Sequence, residues 1–188
     1  MNVVNVIPMS TSSFPPPASG AAHIPVLQRE VVAAMAPRAD GTYVDATLGA
    51  GGHARALLSA DAGRLIGLDR DDVAIELATA RLERFGDKAT IVRAPFGDLD
   101  RVLDELDVDR VDGILADLGV SSLQLDEPDR GMSFRGKGPL DMRMDRRDGE
   151  TALELIERLD DDELTELIGK LGEERRARRV ARCSKRSL

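Results

Sequence analysis

The stretch Thr42–Ala54, TYVDATLGAGGHA, limits the possible folds more than any other part of the chain. It opens with a β-prone run, Thr42-Tyr43-Val44, and turns through Gly49, Gly51 and Gly52. It then enters a segment rich in Ala and Leu, Ala54–Ala60, with helical character. Strand, glycine turn and helix in that order form a cradle for a nucleotide-like ligand. Glycine permits positive φ and lets a ligand approach bare N–H groups at the start of a helix. Gly49-x-Gly51-x-x-Ala54 fits the general dinucleotide fingerprint, a pattern that gains weight only from its surroundings.

Those surroundings alternate between strand and helix. A second strand reads Arg64-Leu65-Ile66-Gly67-Leu68 and ends at Asp69, with Asp71 or Asp72 placed to cap the next helix. Ala89–Val92 is a third strand. Asp98 is predicted to cap a helix whose Leu99, Val102, Leu103 and Leu106 fall at i, i+3, i+4 and i+7. A fourth strand, Val111–Ala116, ends at Asp117. Upstream, Pro25 is predicted to open a helix with Val26, Leu27, Val31, Ala34 and Met35 on one side, closed by Pro37. The pattern predicts an α/β fold, an open parallel sheet of four strands with helices on its faces and no further strand. Residues 1–22, rich in Ser and Pro, read as a flexible tail. After Asp117 the period is lost, and residues 118–149 read as a long ordered loop. Helices are expected again at Thr151–Leu159, Asp162–Leu171 and Glu173 to about Arg182.

The length, 188 residues, suits one domain or one domain with part of another. Aromatic residues are 3% of the chain and Trp is absent, so the core must be aliphatic. The net charge of −8 argues against a protein that coats nucleic acid, and DNA is not an expected partner. Residues 173–188 differ, with seven basic and two acidic side chains. A single cysteine, Cys183, fits a reducing, cytoplasmic setting. No apolar run approaches the roughly 18 residues of a membrane span, so no membrane partner is expected. Two histidines and one cysteine, unclustered, offer no metal site.

In open α/β sheets ligands bind at the carboxyl ends of the strands, where this sequence places Asp45, Asp69 and Asp117. Asp69 lies 18 residues beyond Gly51, near the offset at which an acid meets ribose hydroxyls, although capping the next helix is a second role open to it. His53 is either a ligand contact or a polar surface residue. Phe96 is either a partner for an adenine ring or a core residue. Asp117-Leu118-Gly119-Val120-Ser121-Ser122 places an acid, a glycine turn and two hydroxyls beside the ligand crevice. The loop 131–145 mixes arginines with apolar side chains, a combination that holds phosphate and stacks on bases, or is simply solvated.

Several motifs, in this order, resemble the bacterial small-subunit ribosomal RNA cytosine-N4 methyltransferases, the MraW or RsmH family. They are His23-Ile24-Pro25-Val26-Leu27, Asp45-Ala46-Thr47-Leu48-Gly49-Ala50-Gly51-Gly52-His53, Gly67-Leu68-Asp69-Arg70-Asp71, and Asp117 to Ser122 followed by Gln124-Leu125-Asp126. Arg130-Gly131-Met132-Ser133-Phe134 and Gly138-Pro139-Leu140-Asp141-Met142-Arg143-Met144-Asp145 complete the set. The resemblance implies a class I methyltransferase fold, Rossmann-like, with an inserted helical substrate domain, S-adenosylmethionine as cofactor, and 16S ribosomal RNA as substrate. It implies that Gly51, Gly52 and His53 meet the cofactor's methionine end, Asp69 its ribose and Phe96 its adenine. Asp117 and Gln124 match further cofactor contacts. Asp117 is in addition the expected catalytic acceptor for the amine's N–H.

On this reading residues 1–22 are a tail, 23–125 the first part of the cofactor domain, and 126–188 an ordered loop with the start of the substrate-recognition region. The chain departs from the family in lacking a Ser-Phe-His-Ser-Leu-Glu-Asp type motif, in Arg176 standing where an aromatic is usual, and in its tail Cys183–Leu188. It therefore reads as an amino-terminal fragment with an incomplete sheet, expected to be marginally stable, prone to associate and inactive alone. Two other functions fit the pattern less well: a nicotinamide-dependent Rossmann dehydrogenase, and a non-catalytic RNA-binding fragment.

Overall fold

The computed structural model describes residues 5–7, 25–134 and 137–188; His23, Ile24, Arg135 and the rest of the 1–22 tail lie outside the described residues. The chain divides into two compact units, Met1–Gly119 and Val120–Leu188.

The first unit is built on five strands: β1 (Asn5–Ile7), β2 (Thr42–Asp45), β3 (Arg64–Asp69), β4 (Ala89–Arg93) and β5 (Gly113–Leu115). Their order across the sheet is β1-β4-β3-β2-β5. The last four are parallel, with Val44 opposite Ile66 on one side and Ile114 on the other. Taken alone, these four run 3-2-1-4, the order of a Rossmann-like half-sheet, which reverses direction between β2 and β5. The α/β class predicted from the sequence is the one observed.

The strand count is corrected. β1 pairs antiparallel with β4, Val6 opposite Val92, inside the segment read as a tail. Three residues between polar and proline-rich neighbours are too short a run for a periodic signal, and the edge of β4 supplies the partner.

Both faces of β2, β3 and β4 are buried, as βαβ crossovers require, while Ile114 on the edge strand β5 is exposed. Tyr43, Leu65 and Ile91 face a cluster with Leu57 and Leu58 of α2 (Gly52–Ser59) and with Ile75, Ala78 and Leu82 of α3 (Asp72–Leu82). Val32 and Met35 of α1 (Gln28–Met35) pack on the same cluster. Val44, Ile66, Leu68 and Val92 face the other way, against Val102 and Leu99 of α4 (Leu99–Glu105).

Local starts differ in places from the sequence reading. α1 begins at Gln28, after Leu27 takes a positive φ of 54°, and Val26 and Leu27 are exposed. Asp71 caps α3 by accepting from the Val73 N–H at 3.1 Å. Asp98 makes no side-chain cap to α4. Its Oδ2 accepts from Arg101 Nη2 at 2.7 Å instead, because the arginine one turn on competes for the same carboxylate.

In the second unit a short helix, α5 (Ser122–Asp126), precedes a loop and three helices: α6 (Ala152–Arg158), α7 (Asp161–Gly172) and α8 (Ala177–Arg186). Thr151 with Glu154, and Asp160 with Glu163, form complete capping boxes at the starts of α6 and α7. No helix is long and apolar enough to cross a membrane among the described residues.

Candidate functional site

Parallel strands end on one edge of a sheet, so β2, β3, β4 and β5 deliver Asp45, Asp69, Phe96 and Asp117 to the same edge. Asp45 closes β2 and Asp117 follows β5, on the two sides of the point where the strand order reverses. A crevice opens at such a point in sheets of this class.

The glycine turn lies directly above. Gly49 and Gly51 have φ of 51° and 73°, a region that side chains disfavour. Gly51 precedes α2 at its N-cap. A Cβ at Gly51 would lie 3.3 Å from Ala78 Cα and Cβ, and one at Gly52 would collide with the ring of Pro25. The spacing of the two glycines is thus set by protein neighbours: α3 behind one and the segment before α1 behind the other. A ligand is left the N–H side of the turn.

Asp69 ties the turn down. Its Oδ2 accepts from the Gly49 N–H at 2.8 Å and its Oδ1 from the Asp71 N–H at 2.9 Å. An ionised carboxylate offers about four acceptor positions, so each oxygen keeps one for a ligand hydroxyl. Asp71, not Asp69, caps the helix.

His53, in the first turn of α2, is 7% exposed, which removes the surface-residue alternative. Its Nε2 stands 3.7 Å from Asp117 Oδ2, too long for a hydrogen bond but close enough for charge to matter, and its Nδ1 is buried without a partner. Burial pushes the imidazole pKa below its ordinary value, against the opposing pull of the Asp117 charge. Burial thus favours the uncharged ring. Asp117 keeps a half-exposed carboxylate, while its N–H donates to Thr47 Oγ1 at 2.7 Å. That bond pins the end of β5 to the loop that follows β2. Phe96 starts a 3-10 turn, Phe96–Asp98, after β4 and is 58% exposed, so it is not a core residue.

Asp45 was legible as a strand end but not as a buried one. It is 1% exposed; Oδ1 accepts from the Thr47 N–H at 3.2 Å and Oδ2 has no hydrogen-bond partner. Burial pushes its carboxyl up to about 7, the Thr47 amide pulls it down, and the charges of Asp69 and Asp117 push it further up. The Ala54 amide also lowers it. Among the described residues none of these carboxylates pairs with an arginine or lysine.

Gln124 belongs to the second unit. It is 8% exposed, and its Oε1 accepts from the Ser121 N–H at 2.9 Å, while its own N–H donates to Ser121 Oγ at 3.2 Å. There the motif arginines turn inward. Arg130 is 4% exposed and donates to the carbonyls of Met144 at 2.8 Å and Arg143 at 3.3 Å. Asp141 accepts from the Arg143 N–H, Nε and Nη2 at 2.8–3.1 Å, and those bonds, the Arg143 side chain foremost, hold its carboxyl at about 2. Arg130 and Arg143 thus serve the loop itself; for Arg143 this departs from both sequence readings of the loop 131–145, phosphate holder and solvated charge. No metal-binding cluster occurs among the described residues.

A family model described as the MraW methylase family matches residues 20–187. The chain belongs to the MraW methylase family. Among its relatives, the "Ribosomal RNA small subunit methyltransferase H" of Sorangium cellulosum (strain So ce56) is 59% identical over all of this chain and 59% of its own length. The proteins of the same name from Citrifermentans bemidjiense and Nitrobacter hamburgensis are 50% and 52% identical, over 85% and 88% of this chain. They are matched over 52% and 50% of their own lengths, so the chain spans little more than half of each MraW relative.

Proposed function

We propose that this MraW chain carries the cofactor site of an enzyme that methylates the exocyclic N4 amine of a cytidine in small-subunit ribosomal RNA, with S-adenosylmethionine as donor. The observation that supports this best is the set of carboxylates Asp45, Asp69 and Asp117 at the switch point, without an arginine or lysine partner among the described residues. Such a site favours a cation. S-adenosylmethionine carries a net positive charge, a sulfonium and an ammonium against one carboxylate, whereas a nicotinamide dinucleotide would bring an anionic pyrophosphate into the same field.

When bound, the cofactor supplies an electrophilic methyl group. Gly51, Gly52 and His53 hold its methionine end, Asp69 its ribose hydroxyls through the free acceptor positions, and Phe96 its adenine ring. Gln124 matches a further cofactor-contacting position of the family. Asp117 accepts an N–H bond from the target amine, freeing a lone pair otherwise delocalised into the cytosine ring, and takes the proton. Its exposed carboxylate can reach an incoming base, which must leave any stack to arrive there. Residues 126–188 hold an ordered loop and the start of the substrate-recognition region. The setting is cytoplasmic and the partner is small-subunit RNA.

Calorimetry with S-adenosylmethionine and with NAD separates the two cofactor readings; binding of NAD alone would overturn this one. In a methyl-transfer assay on undermethylated small subunits, using the chain extended to its relatives' length, Asp117→Asn is expected to slow single turnover by about a hundredfold. Cofactor affinity should fall by less than the rate. Equal rates would remove Asp117 as acceptor.

A further inference from the structure

The proposed chemistry leaves Asp45 without a role, although it is the most deeply buried carboxylate of the site. It closes β2 at the switch point, it is 1% exposed, and Oδ2 has no hydrogen-bond partner. The groups that face it are the Asp69 carboxylate from the end of β3, the Asp117 carboxylate after β5, and the amides of Thr47 and of Ala54 in the first turn of α2. His53, on the same turn, is pushed toward its uncharged form by burial. A buried carboxylate among other carboxylates, with one oxygen unmatched, either keeps a proton or needs a cation beside it.

We propose that Asp45 is the group through which the site takes up the cofactor's positive charge, holding a proton in the free protein and releasing it as the cationic ligand binds. The inference rests on the S-adenosylmethionine reading above. The proton accounting is closed: the Asp45 O–H bond breaks, the proton passes to buffer, and the carboxylate left behind pairs with the sulfonium or the ammonium. No electron is transferred. The rise of the carboxyl to about 7 agrees, because it leaves the group half protonated at neutral pH and open to reversal by a nearby cation.

The test is calorimetry of S-adenosylmethionine binding to the chain at pH 6, 7 and 8, in two buffers of different ionisation enthalpy. Binding at pH 7 is expected to release about half a proton, the share the free group holds there. Affinity should be about tenfold weaker at pH 6 than at pH 8, as follows from ionising a group near 7. Asp45→Asn should abolish both effects. S-adenosylhomocysteine separates the two possible cationic partners. An affinity independent of pH assigns the charge to the sulfonium, and the same tenfold loss assigns it to the ammonium. Wild-type binding without proton release overturns the proposal, and that measurement needs no variant to fold. Persistence of the pH dependence in a folded Asp45→Asn assigns it to His53 and also overturns the proposal. Failure of the folded wild type to bind S-adenosylmethionine at any pH would instead overturn the methyltransferase reading.

Discussion

The glycine turn of the first unit and the loop of the second carry equally dense motifs but use their polar groups in opposite ways. Around the turn, Asp45 Oδ2 and His53 Nδ1 are buried without partners and Asp117 keeps an exposed carboxylate. In the loop, Asp141 is saturated by Arg143, Arg130 donates to two carbonyls, and Asp145 takes three bonds from Arg147. Unmet hydrogen-bonding capacity in a buried place costs stability and persists where a ligand completes it. Saturated motif residues hold a backbone in place. Distinctive sequence therefore marks a ligand in one region and a scaffold in the other.

The comparison is broken most directly at Gly131. It has a φ of 68°, and a Cβ there would run into the Pro139 carbonyl. Gly131→Ala is expected to cost about 3 kcal/mol, from backbone strain and overpacking together. Cofactor affinity should move far less, since the turn lies in the other unit. Urea denaturation beside cofactor titration gives both numbers, and a loss under about 1 kcal/mol would show that the loop is not a tight scaffold.

The two regions should also respond to pH with opposite sign. Asp141 is held at about 2, below its unfolded value, so its contribution is present above about pH 4 and is lost as pH falls through 2. Asp45 is raised to about 7, so the folded chain keeps a proton that the unfolded chain has released. Stability then falls as pH rises from about 4 to 7. Asp45→Asn should raise stability at pH 8 by on the order of 4 kcal/mol and leave pH 4 unchanged. Asp141→Asn should flatten only the acid limb. Melting curves from pH 2 to 8 test both, and a shared sign would end the contrast.

The smallest effect is expected at Phe134, whose ring is fully exposed at 105%. Phe134→Ala should leave stability within about 0.5 kcal/mol. If the ring stacks on a base of the substrate, RNA affinity should fall by about 1 kcal/mol in a filter-binding titration. An unchanged affinity would confine the loop to its scaffold role.

The parallel sheet was legible because β3 and β4 are largely aliphatic runs and three of the four parallel strands run out at an aspartate, and because α3, α6 and α7 carry local cap signals. β1 was not, since a three-residue strand has meaning only beside β4. At the site, the residues lying on strand ends and on the glycine turn could be placed from spacing alone. The burial of Asp45 and His53 could not, because it depends on α2 closing over the end of β2. The inward turn of Arg130 and Arg143 was also hidden. An arginine two or more residues from an aspartate reads the same whether it is paired or free, and only the close backbone approach at Gly131 and Gly138 makes it paired.

Pro25 gives the glycine turn a mechanical history of its own. Its ring occupies the space where a side chain at position 52 would stand, so it acts as a splint on the first turn of α2. The splint is fastened to Val26 and Leu27, which are 67% and 63% exposed. A cut or a bulky tag there would tug on the turn from a point far earlier in the chain. Cofactor affinity would then serve as a strain gauge for the leading segment, and a protease that nicks those two residues would be felt at the strand ends without touching a single residue of the cradle.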